Sequence, residues 1–195
     1  MTLTRTNLLA FALVAGTAGA LAAEEKKMLF AFDTPDAAKE WMAVNDGVMG
    51  GVSDGRFKVT DAKTMEFFGT LSLENNGGFA SVRSKPKALG LTNDDSIVVR
   101  VRGDGREYTL NLYVPTQRIA FSYRATIKTK AGEWVEVSLP LRDFYATSFG
   151  NKVPDAGPVD AGKVNALGFL LSDKKAGLFK LEVEWIKAVG TAEKK

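Results

Sequence analysis

The chain has 195 residues, with 26 Lys and Arg against 23 Asp and Glu, 45% apolar residues, and neither Cys nor His. Lack of Cys excludes a disulfide framework, a thiol nucleophile and a lipid-anchoring cysteine; lack of His excludes a His-ligated zinc and a His-containing catalytic triad. The small basic excess is interspersed with acids rather than gathered on one face, so no nucleic-acid partner is expected.

Before Glu24 the only charge is Arg5, and Leu8 to Ala23 is a run of 16 apolar or small residues ending in Ala20-Leu21-Ala22. This is the pattern of a secretory signal peptide, and it falls short of the ~20 apolar residues that span a bilayer. The expectation is cleavage after Ala22, a periplasmic or secreted location, and residues 23–195 as a single domain with no transmembrane segment.

Asp36 to Trp41 predicts a short helix that Thr34 or Asp33 would cap. From Thr64 to Glu74, Met65, Phe67, Gly69, Leu71 and Leu73 alternate with mostly polar neighbours, the mark of a strand with one face on a core. The same alternation follows in Ile97/Val99/Val101, Tyr108/Leu110/Leu112/Val114 and Phe121/Tyr123/Ala125/Ile127, then in Val135/Val137/Leu139 and Phe179/Leu181/Val183/Trp185. Ala166 to Leu171 is apolar on both faces, as a central strand would be. Asn75 to Gly78, Gly103-Asp104-Gly105 and Lys130 to Glu133 punctuate these runs and read as hairpin turns. Tyr145 to Lys163 reads as one long irregular stretch. Arg83-Ser84-Lys85-Pro86-Lys87 and Lys174-Lys175 read as solvated loops. About ten strands at this spacing predict an all-β antiparallel sandwich, most simply a jelly roll.

Asn45-Asp46-Gly47-Val48-Met49-Gly50-Gly51-Val52-Ser53-Asp54-Gly55 packs four Gly, two Asp and an Asn into eleven residues, which calls for unusual backbone angles and side-chain-capped turns. The run resembles the signature of the complex I intermediate-associated protein 30 family. Phe68 to Arg83, Arg102 to Tyr108, Trp134 to Phe144 and Leu167 to Phe179 are similar to its later blocks, in order. The resemblance spans roughly Leu29 to Val189 and implies a galactose-binding-like jelly roll. It also implies a non-catalytic helper in assembling respiratory complex I. Family members in that role work on the matrix side, so with an export signal the resemblance carries the fold further than the partner.

Asn45, Asp46 and Asp54, with Glu184 from across the sandwich, have the oxygen ligands a hard cation takes, but Asp and Asn in Gly-rich turns ordinarily bond neighbouring amides, and the turn reading is preferred. Gly47 to Gly51 lacks the Lys-Ser/Thr of a phosphate loop. Arg102-Gly103-Asp104 reads as a strand-to-strand tip. Two-carboxylate hydrolysis would have to draw on Asp46, Asp54, Asp104 or Glu74 at a spacing of about 5 to 9 Å, and they qualify only by exclusion. No enzyme activity, cofactor or metal is expected.

Strand parity offers a better candidate. With Val99, Val101, Leu110, Leu112, Tyr123 and Ala125 facing the core, Arg100, Arg102, Asn111, Tyr113, Ser122 and Arg124 face out, as does Trp134 when Val135 and Val137 are buried. Arg100, Arg102, Asn111, Tyr113, Arg124 and Trp134 are therefore the candidate binding face for a protein partner or a glycan. Asn45, Asp46, Gly50, Gly51, Ser53 and Asp54 form the signature loop. The favoured function is a binding or assembly module, and the alternative is a carbohydrate-binding module of the cell envelope.

Overall fold

The computed structural model describes residues 24–191. The expected signal segment and its cleavage point lie outside them. The described strands in chain order are β1 (Glu24–Ala31), β2 (Trp41–Ala43), β3 (Asp54–Val59), β4 (Met65–Leu71), β5 (Ala80–Ser84), β6 (Ser96–Arg102) and β7 (Glu107–Tyr113). They continue with β8 (Phe121–Lys128), β9 (Trp134–Pro140), β10 (Tyr145–Ser148), β11 (Asn151–Lys152), β12 (Ala166–Leu171) and β13 (Gly177–Thr191). One sheet has six strands in the order β3-β4-β13-β6-β9, with β1 on the far half of β13. The other has seven, in the order β11-β10-β8-β7-β12-β5-β2. Every pairing within the sheets is antiparallel. The fold is an antiparallel β-sandwich of the jelly-roll kind, as the alternation predicts.

The core is the set of alternating residues. Met65, Phe67 and Leu71 from β4, Ile97, Val99 and Val101 from β6, and Phe179, Leu181 and Val183 from β13 are buried against Tyr108, Leu110, Leu112, Tyr123, Ile127, Leu167, Phe169 and Leu171 of the facing sheet. Phe67 and Phe179 meet edge to face, their centroids 4.9 Å apart. At the other end Trp41 of β2 meets Phe30 of β1 at 5.0 Å and stacks near Phe169 of β12 at 6.4 Å, tying the two sheets together.

Several expectations change. The predicted helix is a 3-10 turn, Pro35–Glu40, with no buried residue and no side-chain cap from Thr34, and Trp41 leaves it for a strand because its indole belongs to the aromatic core. The three turn signals do not close hairpins. Asn75 to Gly78 joins β4 to β5, Gly103-Asp104-Gly105 joins β6 to β7, and Lys130 to Glu133 joins β8 to β9; each pair of strands belongs to opposite sheets. These turns bridge the ~10 Å between stacked sheets rather than the ~4.8 Å between neighbouring strands. The expected irregular stretch opens with the β10–β11 hairpin before two 3-10 turns, Pro154–Ala156 and Ala161–Lys163. Leu73 lies past the end of β4 and is exposed. A bulge between Val183 and Trp185 shifts the parity of β13, so Ile186 and Ala188 enter the core and Trp185 does not.

Candidate functional site

The signature loop is built around one buried carboxylate. Asp46 Oδ1 accepts from the Ser53 amide at 2.9 Å. Its Oδ2 accepts from Ser53 Oγ at 2.6 Å and from the amides of Gly78 and Phe79 at 2.6 and 3.2 Å. Ser53 Oγ in turn accepts from the Ser72 amide at 3.0 Å. The loop is thereby pinned to the β4–β5 crossover. Burial raises Asp46, and the bonds from Ser53, Gly78 and Phe79 outweigh it and hold the carboxyl below its ordinary value. Gly50 ends the turn Asp46–Met49 at φ 90°, in the left-handed region. Asn45 Nδ2 donates to the Gly55 carbonyl at 2.9 Å.

Of the carboxylates weighed for metal or catalysis, Asp54 and Asp104 border one shallow depression of about 430 Å³, with the cations Arg56 and Lys180 on its rim, whereas Asp46 and Glu184 lie outside it. Asp46 is enclosed by amides, Asp54 faces Arg56 on the surface of β3, and Glu184 of β13 pairs with Arg100 of β6. Asp104, at the tip after β6, accepts from the Tyr108 hydroxyl at 3.1 Å and from the Lys180 amide at 2.9 Å. Arg106 beside it makes a bidentate pair with Asp173 at 2.7 and 3.0 Å. Arg102-Gly103-Asp104 thus clasps the end of the sandwich.

The six residues proposed as one outward face divide between two. Arg100, Arg102 and Trp134 lie on β6 and β9 of the six-stranded sheet; Asn111, Tyr113 and Arg124 lie on β7 and β8 of the seven-stranded sheet, on the opposite side of the molecule. Parity fixes which side chains leave the core, but not which sheet carries them.

On the six-stranded side the arginines are already matched. Arg100 faces Glu184 and Glu136, and Arg102 faces Glu182 at 2.7 Å. Both guanidiniums lie over the Trp134 ring, at 5.6 and 4.9 Å from its centroid. Burial raises Glu182, but Arg102 and Lys180 hold it below the ordinary carboxylate value. A depression of about 680 Å³ on this sheet is bordered by Lys26, Glu136, Trp185 and Lys187, again with both signs present.

The seven-stranded side is different. Cross-strand register sets Tyr145, Arg124, Asn111, Gly168, Arg83 and Met42 in one row across β10, β8, β7, β12, β5 and β2. Asn111 and Ser122 are buried although they point away from the core, and Ser122 Oγ donates to Asn111 Oδ1 at 3.3 Å. Arg83 lies over the Tyr113 ring at 5.0 Å from its centroid. Arg124 donates from Nε to Ser122 Oγ at 3.3 Å. Among the described residues Arg56, Arg100, Arg102, Arg106, Arg118 and Arg142 all face carboxylates, whereas Arg83 and Arg124 face none. The Arg83 Nε is buried without a hydrogen-bond partner. Burial pulls the Arg124 guanidinium below its ordinary value, and the like charge of Arg83 adds to this against Tyr113 and Tyr145.

Arg83 is the residue the sequence reading missed. It belongs to β5, not to a solvated loop with Lys85 and Lys87, and alternation of buried Ala80 and Val82 with outward Ser81 and Arg83 was the available signal, obscured by buried Ser81 and Ser84.

Fold and surface together define a β-sandwich of the jelly-roll kind whose arginines without carboxylate partners sit on the outside of one sheet. The family model of Complex I intermediate-associated protein 30 (CIA30) matches residues 30–183, and the chain belongs to that family. The mouse protein named complex I intermediate-associated protein 30, mitochondrial, is 28% identical over 183 residues, covering 84% of this chain and 56% of the mouse protein. The Drosophila melanogaster protein of the same name is 25% identical, covering 83% of this chain and 62% of its own length. The chain thus spans little more than half the length of these relatives. Their names place them in mitochondria, which overturns the periplasmic or secreted location expected from the N-terminal segment. Among solved structures, the family 11 carbohydrate-binding module from Clostridium thermocellum in complex with a β-1,3-1,4-mixed-linked tetrasaccharide aligns with a TM-score of 0.65 at 16% identity, covering 86% of this chain and 97% of that one. That likeness is one of fold.

Proposed function

We propose that this chain is a non-catalytic binding module that aids the assembly or stability of a protein complex, with respiratory complex I as the complex to which its family points. The observation that carries the reading is the contrast between the two outer faces. The six-stranded face pairs its arginines with carboxylates, whereas the seven-stranded face holds Arg83 and Arg124 with no carboxylate partner, the buried Nε of Arg83 unbonded and its guanidinium over Tyr113. Desolvated cations without acids are costly in an isolated fold and become favourable when a partner supplies the counter-charge. Asp46, Asp54 and Asp104 are bonded to Ser53, Arg56, Tyr108 and backbone amides, which supports binding over turnover.

A second reading, a carbohydrate-binding module, draws on Tyr113 and Tyr145 flanking Asn111 and Arg124 on that same face, since aromatic rings stack on sugars and amides bond hydroxyls. One experiment separates the two. Deletion of the gene in its source organism should lower the amount of assembled complex I on native gels, and re-expression of the intact chain should restore it. Undiminished complex, together with retardation of the purified chain in gels containing mixed-linkage glucan, would favour the carbohydrate reading.

A further inference from the structure

The two unpaired arginines lie on β5 and β8, three strand spacings apart, a separation of about 14 Å between Cα atoms. Two extended arginine side chains can close most of that distance. The strands between them contribute Asn111 and Gly168 to the same row. Gly168 leaves no side chain in the middle of the row, and a Cβ built there would lie 3.2 Å from Arg83 Cγ and 2.5 Å from the Val82 carbonyl oxygen. Arg83 therefore runs across the glycine toward Tyr113, whose ring it covers, while Arg124, on the strand next to that of Tyr113, donates to Ser122 Oγ. Between the two arginines the row is thus a shallow trough, holding a glycine partly overlain by Arg83 and a buried asparagine, with Tyr113 beside it.

We propose that this trough binds a carboxylate carried by an acidic segment of a protein partner, with Arg83 and Arg124 as its two forks. The unpartnered, buried Nε of Arg83 supplies a donor with no acceptor in the free chain. Guanidinium matches a carboxylate through two parallel N–H···O bonds, and two guanidiniums held near each other lack a counter-charge until an anion arrives. Neutral sugar hydroxyls would supply no such counter-charge. Stacking on Tyr113 orders Arg83 beforehand, so little side-chain freedom is lost on binding. The inference rests on the reading of the chain as a protein-binding module.

The test uses a labelled oligoglutamate peptide and the full chain, with oligoglutamine and polygalacturonate as comparisons, read by fluorescence anisotropy and competition. Oligoglutamate should bind, oligoglutamine should not, and added salt should weaken binding. Arg83→Gln and Arg124→Gln should each reduce affinity by about tenfold or more, and Arg142→Gln, outside the trough, should leave it unchanged. Arg83→Lys and Arg124→Lys keep the charge without the fork and should lie between. Thermal midpoints identify any variant that has lost its fold, and the lysine variants then carry the test. Equal loss in Arg142→Gln, unchanged binding in the trough variants, or no binding of oligoglutamate would overturn the site. Tighter binding of polygalacturonate through the same arginines would overturn the protein segment as the occupant. If oligoglutamate fails to bind while gene deletion still depletes complex I, the acidic segment is wrong and the assembly role stands. If it binds at the trough and deletion has no effect, the assembly role fails instead.

Discussion

The carboxylate of Asp46 fills the space where a side chain at Gly51 would begin. A Cβ on Gly51 would lie 2.4 Å from Asp46 Cγ and 2.6 Å from its Oδ1. Gly77, on the β4–β5 crossover, stands in the same relation to the other oxygen, with its Cβ 2.6 Å from Oδ2. Two glycines from separate segments therefore close over one buried acid, so the glycines of the motif serve the aspartate as much as the backbone.

Gly51→Val should destabilise the fold by about 2 kcal/mol or more, because the carboxylate is held by four donors and has nowhere to retreat. Urea denaturation reads the cost as a lower midpoint with an unchanged slope. A midpoint equal to that of the parent chain would show that the loop can open away from Asp46.

Acid titration should expose Asp46 directly. Its folded carboxyl lies below the ordinary value of 3.8, so the contribution to stability is complete above about pH 4. It is lost as the pH falls further, when the unfolded chain takes up a proton that the folded site resists. Asp173 and Glu182 are held low in the same direction and add to the trend. Asp46→Asn should be less stable than the parent at pH 7 and should lose stability less steeply between pH 4 and its acid transition. Parallel pH profiles for the two proteins would contradict this.

The division of the outward residues gives a paired expectation. Tyr113→Ala should weaken association with a partner bound at the seven-stranded face by about 1 kcal/mol or more, since it removes both the platform under Arg83 and a half-buried ring. Trp134→Ala, on the opposite sheet, should leave that association unchanged. Isothermal titration with the oligoglutamate peptide measures both, and a larger loss in Trp134→Ala would place binding on the six-stranded sheet.

Which residues were legible in the sequence follows from what alternation encodes. Parity placed Val99, Val101, Leu110, Leu112, Tyr123 and Ala125 in the core correctly, because the two-residue repeat is a property of each strand alone. Sheet membership is not a property of one strand. A glycine-rich turn looks the same whether it joins neighbours or crosses the sandwich, so Arg102 and Asn111 were read as near each other although their strands belong to different sheets. Trp185 was misplaced for a related reason, since a bulge adds one residue without any change in composition. The buried role of Asp46 depends on amides of Gly78 and Phe79 more than thirty positions away, a contact that only the folded chain supplies.

Asp104 accepts from the hydroxyl of Tyr108 at 3.1 Å, from the Lys180 amide at 2.9 Å and from the Arg106 amide at 3.1 Å. Tyr108 is fully buried, and burial together with Asp104 pushes its phenol well above the ordinary range, so the hydroxyl remains a donor at any pH the fold survives. Asp104→Ala would leave that hydroxyl and the Lys180 amide without their acceptor, at a cost of about 1 to 3 kcal/mol. Asp104→Asn keeps an acceptor oxygen and should cost less. Tyr108→Phe combined with Asp104→Ala removes both members of the hydroxyl–carboxylate pair, so the double variant should be more stable than the sum of the single losses implies. Chemical denaturation of all four proteins measures the coupling. Additive losses would mean that Tyr108 and Asp104 act independently, and an Asp104→Ala chain as stable as the parent would mean that the tip clasps nothing.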